Sequence, residues 1–169
     1  RLTGTSSGTV INIGNATTGE FGGLGITDGG TYPVELWGSS LSLKTGSSIY
    51  ASATERMRID SSGNVGIGVT PSAWQTTSGS RAIQFTGSAV YGYRDTNLIL
   101  TQNAFFDGAF KYYASSIAAA YYGIGSGVHS WYNAPSGTAT NPITFTQAMT
   151  LNTDGTLGIG STGAGNKLT

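Results

Sequence analysis

A chain of 169 residues is long enough for one ordinary domain, yet only 9% of it is charged, against about 25% in a typical soluble protein. Eight basic and eight acidic residues cancel, and no basic stripe appears, which argues against nucleic acid or an anionic membrane as a partner. Cysteine is absent, so disulfides and thiolate metal sites are excluded, and no apolar run approaches the roughly 18 residues of a membrane helix.

Gly, Ser and Thr crowd every segment, and the aromatics, 11% of the chain, are spread among small residues. One chain alone would struggle to build a compact core. Arg1 stands where a Met would begin a chain, and no signal-like segment follows, so a piece of a longer polypeptide is expected.

Helix propensity is low almost throughout, and the periodicity predicts strands. In order these are "GTVINIG" (8–14), "SLSLK" (40–44), "AIQFTG" (82–87), "NLILTQ" (97–102) and "ITFTQAMTL" (143–151). Asp107-Gly108 in "FFDGAF" and Asp154-Gly155 in "NTDGTLGIG" suit tight two-residue hairpin loops. The segment "AFKYYASSIAAAYYG" (109–123) fits either a short helix closed by Gly123 or two strands joined at Ser115-Ser116. The aromatic pairs at Tyr112-Tyr113 and Tyr121-Tyr122 favour strands.

The strongest pattern is a repeat. Residues 55–70, "ERMRIDSSGNVGIGVT", align with residues 147–162, "QAMTLNTDGTLGIGST", at a constant offset of 92, since 149 − 57 = 92 and 160 − 68 = 92. The scaffold positions are Met57, Ile59, Gly63, Val65, Gly66, Ile67 and Gly68, matched by Met149, Leu151, Gly155, Leu157, Gly158, Ile159 and Gly160. Glu55, Arg56 and Arg58 become Gln147, Ala148 and Thr150, so the charges are not kept. A phosphate cradle would keep its polar groups and be followed by a helix, and neither copy is. Gly66 and Gly68 are expected to admit a close backbone.

A period of about 90 residues exceeds that of a solenoid coil, so each copy reads as a small β module with its own connection. Residues 1–68 form a first, divergent module, 69–81 a linker, 82–160 a second module, and 161–169 a tail leading to a missing following segment. Trp37 stands 20 residues before Met57 and Trp131 stands 18 before Met149, each preceding β-like sequence that leads to the motif. Such modules leave edges and apolar faces that identical chains around a threefold axis would cover.

"ERMRIDSSGNVGIG" resembles the shaft repeat of tailed-bacteriophage tail fibres, often found shortly before a C-terminal chaperone of the endosialidase type. Residues 110–160, with "APSGTA" and "ITFTQAMTL", are similar to the longer repeat of those fibres, whereas residues 1–33 match only weakly. The resemblance implies an all-β, elongated and intertwined homotrimeric fibre built of repeated small β modules. It further implies a virion location, acting extracellularly at the host surface, with other virion tail components and host cell-surface glycan as partners. The self-cleaving chaperone of such proteins uses a serine and a lysine, and no proteolytic role carries over to these residues.

Candidate sites are few. His129 is the only histidine and reads as structural. A glycan-cleaving enzyme would need two carboxylates flanking one bond, but Asp60, Asp107 and Asp154 fall in predicted turns, where Asp stabilises the bend. No catalytic residue, cofactor or metal site is therefore expected. Aromatics cluster in the second module, where flat rings can stack on sugars or pack against each other. Tyr91, Tyr93, Arg94, Asp95, Tyr113, Tyr122, Trp131 and Tyr132 are the glycan-binding candidates. Arg56 and Arg58 alternate with Met57 and Ile59, and a contact from Glu55 to a neighbouring chain's arginine is a conceivable register device. The expectation is a fibre shaft, with a glycan-binding module or a non-phage adhesin or filament subunit as the alternatives.

Overall fold

The structure is a computed structural model that describes residues 11–15, 20–26, 34–46, 52–94 and 96–160. The chain is all-β, and among the described residues the only helical pieces are short 3-10 turns such as Thr77–Gly79. β1 (Ile11–Asn15), β2 (Glu20–Ile26) and β3 (Val34–Trp37) form a three-stranded antiparallel sheet.

The rest is dominated by one ten-stranded sheet. It begins with β4 (Leu41–Thr45), β5 (Thr54–Ile59) and β6 (Val65–Ile67). It continues through β7 (Arg81–Phe85), β8 (Ser88–Tyr93) and β9 (Asn97–Gln102). β10 (Ala104–Phe106) and β11 (Phe110–Tyr112) leave it as a separate ribbon. The sheet resumes with β12 (Ala119–Gly125), β13 (Val128–Ala134), β14 (Thr146–Leu151) and β15 (Leu157–Ile159). Its spatial order follows chain order, so the sheet grows in one direction as the chain proceeds. All its pairs are antiparallel except β6–β7, which is parallel. Residues 109–123 supply β11 and β12, as the aromatic pairs suggest, but the two strands pair with other partners and not with each other.

The sequence repeat is a structural repeat. In the first copy the turn between paired Ile59 and Val65 is closed by Asp60 N–H to Asn64 O at 2.9 Å and Gly63 N–H to Asp60 O at 3.0 Å. In the second, Asn152 donates to Thr156 O at 2.9 Å and Gly155 to Asn152 O at 3.0 Å. Gly63 and Gly155 have φ of 82° and 81°, and Gly68 and Gly160 have 68° and 69°. Only a residue without Cβ adopts such backbone without strain.

The equivalence extends one strand further than the aligned sequence. Leu41 faces Ile59 and Leu43 faces Met57, then the register shifts and Lys44 faces Glu55. On the other copy His129 faces Leu151 and Trp131 faces Met149, then the register shifts and Tyr132 faces Gln147. Thus β4-β5-β6 and β13-β14-β15 are the same bulged, three-stranded unit. The counterpart of Trp131 is Leu43 rather than Trp37, which ends β3 in the other sheet opposite Gly23.

Two turn expectations need correcting. The Asp107-Gly108 loop holds three residues, because Phe106 pairs with Phe110. The Asp154-Gly155 loop holds five, because Leu151 pairs with Leu157. The extra residues allow Asp154 Oδ1 to accept the Thr156 N–H at 2.8 Å, as Asp60 Oδ1 accepts the Asn64 N–H at 2.8 Å.

The glycines differ in their reasons. A Cβ on Gly66 would lie 2.0 Å from the Val69 carbonyl oxygen, so this glycine admits a close backbone. Gly68 faces open space, and its positive φ, not a close approach, is what requires glycine.

One face of the ten-stranded sheet is covered by the chain itself. Residues 69–80 carry no strand but bring Trp74 onto Tyr91, with ring centroids 4.8 Å apart, so the segment read as a linker contributes to the core. Buried Gln84 fastens this segment. Its Oε1 accepts from Trp74 Nε1 and the Ser72 N–H, both at 2.8 Å, and its Nε2 donates to Ser72 Oγ and Thr86 O. From there the rings of Tyr91, Phe106, Phe110, Tyr121 and Tyr132 follow one another at centroid distances of 6.1, 5.1, 5.1 and 4.3 Å. In the "APSGTA" loop, Tyr112 donates to Pro135 O at 2.7 Å, and a Cβ on Gly137 would strike the Tyr112 ring at 2.2 Å.

Candidate functional site

The opposite face is left open by the described chain. Directly paired residues in a sheet share a face, and here the pairs join into rows. One row runs unbroken across all ten strands: Leu41, Ile59, Val65, Ile83, Val90, Leu100, Tyr122, Trp131, Met149 and Ile159. A second passes through Leu43, Met57, Ile67 and Phe85. A third passes through Leu98, Ile124, His129, Leu151 and Leu157.

These side chains are large and apolar, yet Leu43 is 61% exposed and Ile83, Leu98 and Leu100 are each 44% exposed. The covered face shows the contrast, with Tyr91, Ala82 and Ala89 at 3% or less. Isolated exposed apolar residues are ordinary in a soluble chain, whereas a contiguous apolar face marks an interaction surface.

The glycan-binding candidates do not meet at one place. Tyr91 is fully buried under Trp74 and donates its hydroxyl to Gln75 O at 2.9 Å, so it belongs to the core rather than to a surface. Burial pushes its phenol up from the ordinary value near 10. Tyr93 packs edge-on against Phe106 with the Arg94 guanidinium 5.0 Å from its ring centroid, and Asp95 lies outside the described residues. Tyr113 is half-buried over Gly87.

Tyr132 stacks on Tyr121 on the covered side and donates to Gln147 Oε1 at 3.1 Å. Burial, and then the neighbouring Tyr132 hydroxyl, raise the Tyr121 phenol well above the usual range. Tyr122 and Trp131 alone share the open face, their rings 5.0 Å apart, and Tyr122 is hydrogen-bonded to His129 Nδ1. The open rows themselves were missed from sequence, since alternation shows two faces without showing which one the chain covers.

Several charged groups among the described residues are engaged within the chain. Arg58 grips Glu55 through Nε to Oε1 at 2.8 Å and Nη2 to Oε2 at 2.6 Å. That hydrogen bond holds the Glu55 carboxyl below its ordinary value, against a weaker effect of burial. Within the chain, Glu55 is therefore engaged by Arg58. Asp107 pairs with Lys111 at 2.7 Å across the β10–β11 loop. Asp60 and Asp154 spend carboxylate oxygens on their own turns.

No protein-family model and no curated protein matches the chain. Among the described residues no helix is long and apolar enough to cross a membrane.

Proposed function

We propose that this chain is a structural segment of a phage tail fibre: a homotrimeric β shaft that positions, or forms part of, the host-receptor-binding apparatus. The single observation that carries the reading is the open apolar face, ten strands long, on a sheet whose strands follow chain order. Strands laid down in sequence make an element that lengthens with the chain, as a spacer must. A face with Leu, Ile, Val, Met and Trp in continuous rows needs a cover of matching length. Three identical chains packed face inward about a common axis supply it, each row meeting equivalent rows of its neighbours. The scarcity of charge suits such a shaft, because few charged groups would then have to be desolvated on assembly.

The resemblance of residues 55–68 and 110–160 to tail-fibre repeats supplies the biological setting, a virion acting outside the host cell. No catalytic role is part of the proposal. The test is immunoelectron microscopy of the virion that carries this chain. Antibody to the chain should decorate the tail fibres at a fixed distance from the baseplate, and label confined to head or tail tube would refute the assignment.

A second reading has one observation in its favour. Tyr122 and Trp131 are adjacent, half-buried rings on the open face beside His129, an arrangement able to stack on a sugar. It requires that face to remain uncovered, so saturable glycan binding by an oligomeric form of the chain would have to come from elsewhere.

A further inference from the structure

The two copies of the bulged unit sit differently in the sheet. The outer edge of β6 carries β7 in parallel, with Val65, Gly66 and Ile67 opposite Ile83, Gln84 and Phe85. β15 has the same sequence pattern, turn, φ values and inner pairing as β6, yet it ends the sheet, and among the described residues nothing pairs with its outer edge. Side-chain exposure records the difference. Ile67, flanked by Phe85, is 37% exposed, whereas its twin Ile159 is 74% exposed.

The head of β6 also shows how the incoming strand is held. Asn64 is 1% exposed, and its Oδ1 accepts the Ala82 N–H of β7 at 3.1 Å while its Nδ2 donates to Asp60 Oδ2. The twin position is Thr156, itself buried, whose hydroxyl oxygen is able to accept an N–H in the same way.

We infer that the outer edge of β15 is an acceptor for one further strand of the β7 kind, added in parallel and in the register of β6–β7. The occupant is an extended segment with the chemistry of residues 69–85. It brings bulky apolar side chains to the open face, as Ile83 and Phe85 do, small or amide side chains to the covered face, as Ala82 and Gln84 do, and a preceding aromatic like Trp74 to seal it. β4 does not serve as this occupant in a second copy. Its twin β13 receives an antiparallel neighbour, β12, on the corresponding edge. The bulged unit is thus a connector with two distinct edges, an antiparallel one facing backward and a parallel one facing forward. This inference rests on the repeat and stands independently of the trimer.

The test uses the full chain. A second copy of residues 69–160 is inserted between Gly160 and Ser161, so that Val69 follows Gly160 as it naturally follows Gly68, and amide hydrogen exchange is read at residues 157–159. The outward-facing amides there are expected to exchange at least tenfold more slowly than in the parent chain, approaching the rates at residues 65–67. Unchanged rates beside a protected inserted β7 would overturn the inference. So would slow, concentration-dependent exchange at these amides in the parent chain, which would show a second copy already seated on the edge. Should the inserted copy fail to fold, a synthetic peptide of residues 69–86 is added to the parent chain. Saturable slowing at residues 157–159 that a scrambled peptide lacks supports the inference, and no slowing at millimolar peptide overturns it.

Discussion

The two faces of the ten-stranded sheet are built from alternate residues of the same strands, yet they solve different problems. On the covered face the side chains are of uneven size, from Ala82, Ala89 and Gly123 to Tyr91 and Tyr121, and the hollows are filled by Trp74 and the β10–β11 ribbon. Its Gln84 has partners for both ends of the amide, whereas the buried Thr101 hydroxyl has none. On the open face the side chains are more uniform in size and mostly aliphatic, and one row continues from edge to edge with no segment of the described chain over it. The lesson is that the first face folds the chain, while the second is the one the proposed assembly would cover. Mutations should therefore separate folding from association.

The largest effect is expected on the covered face. Trp74→Ala removes a side chain packed on Tyr91 and one of the two donors to Gln84 Oε1, and should cost about 3–5 kcal/mol in denaturant unfolding. A loss below about 1 kcal/mol would mean that residues 69–80 do not seal this face. Gly66→Ala comes next. Its Cβ must displace the Val69 carbonyl, so a cost of about 1–3 kcal/mol is expected. Gly68→Ala meets only its left-handed backbone and should cost nearer 1 kcal/mol. Equal losses at the two sites would break the distinction between close approach and backbone conformation.

The same comparison predicts the reverse behaviour on the open face. Ile83→Ser with Leu100→Ser should leave the isolated chain's stability within about 0.5 kcal/mol, because both side chains are already half exposed. Assembly should be lost. Strong unfolding by this pair, with intact association, would invert the roles of the two faces.

Two pH effects are smaller. Tyr121 has a raised folded-state value, so its contribution is complete below about pH 10, where the unfolded phenol begins to ionise, and is lost as the pH rises further. Tyr121→Phe should flatten this alkaline loss of stability. Glu55 has a lowered folded-state value, so its contribution holds above the ordinary carboxylate value of 4.5 and fades as the pH falls through the folded one. Because both partners are about a quarter exposed or more, Glu55→Gln should change the acid limb only slightly.

Much of the fold was legible in sequence because apolar alternation and repeated glycines are local signals. Strands such as β9 fall on the segment the alternation marks, and the 92-residue offset marks two copies of one unit. The third strand of that unit was hidden by its connections. Eight residues separate the paired Thr45 and Thr54, but twelve separate Asn133 and Thr146, so the offset drops to 88 and Leu43 aligns with Trp131 only through pairing. The parallel β6–β7 pair was equally hidden, since it depends on a crossover whose packing residue, Trp74, sits among polar neighbours. The site was the least legible part. Tyr91 and Tyr122 are alike in sequence, each followed by a glycine in a strand, and only the position of β10, β11 and residues 69–80 decides that one is buried and the other lies on the open face.

The central claim is that the open face is covered by two further copies of the same chain, and solution mass tests it most directly. Light scattering coupled to size exclusion should give three times the 17.3 kDa chain mass, falling to one times that mass in the Ile83→Ser, Leu100→Ser variant. A parent chain that elutes as a folded monomer at every concentration would contradict the claim.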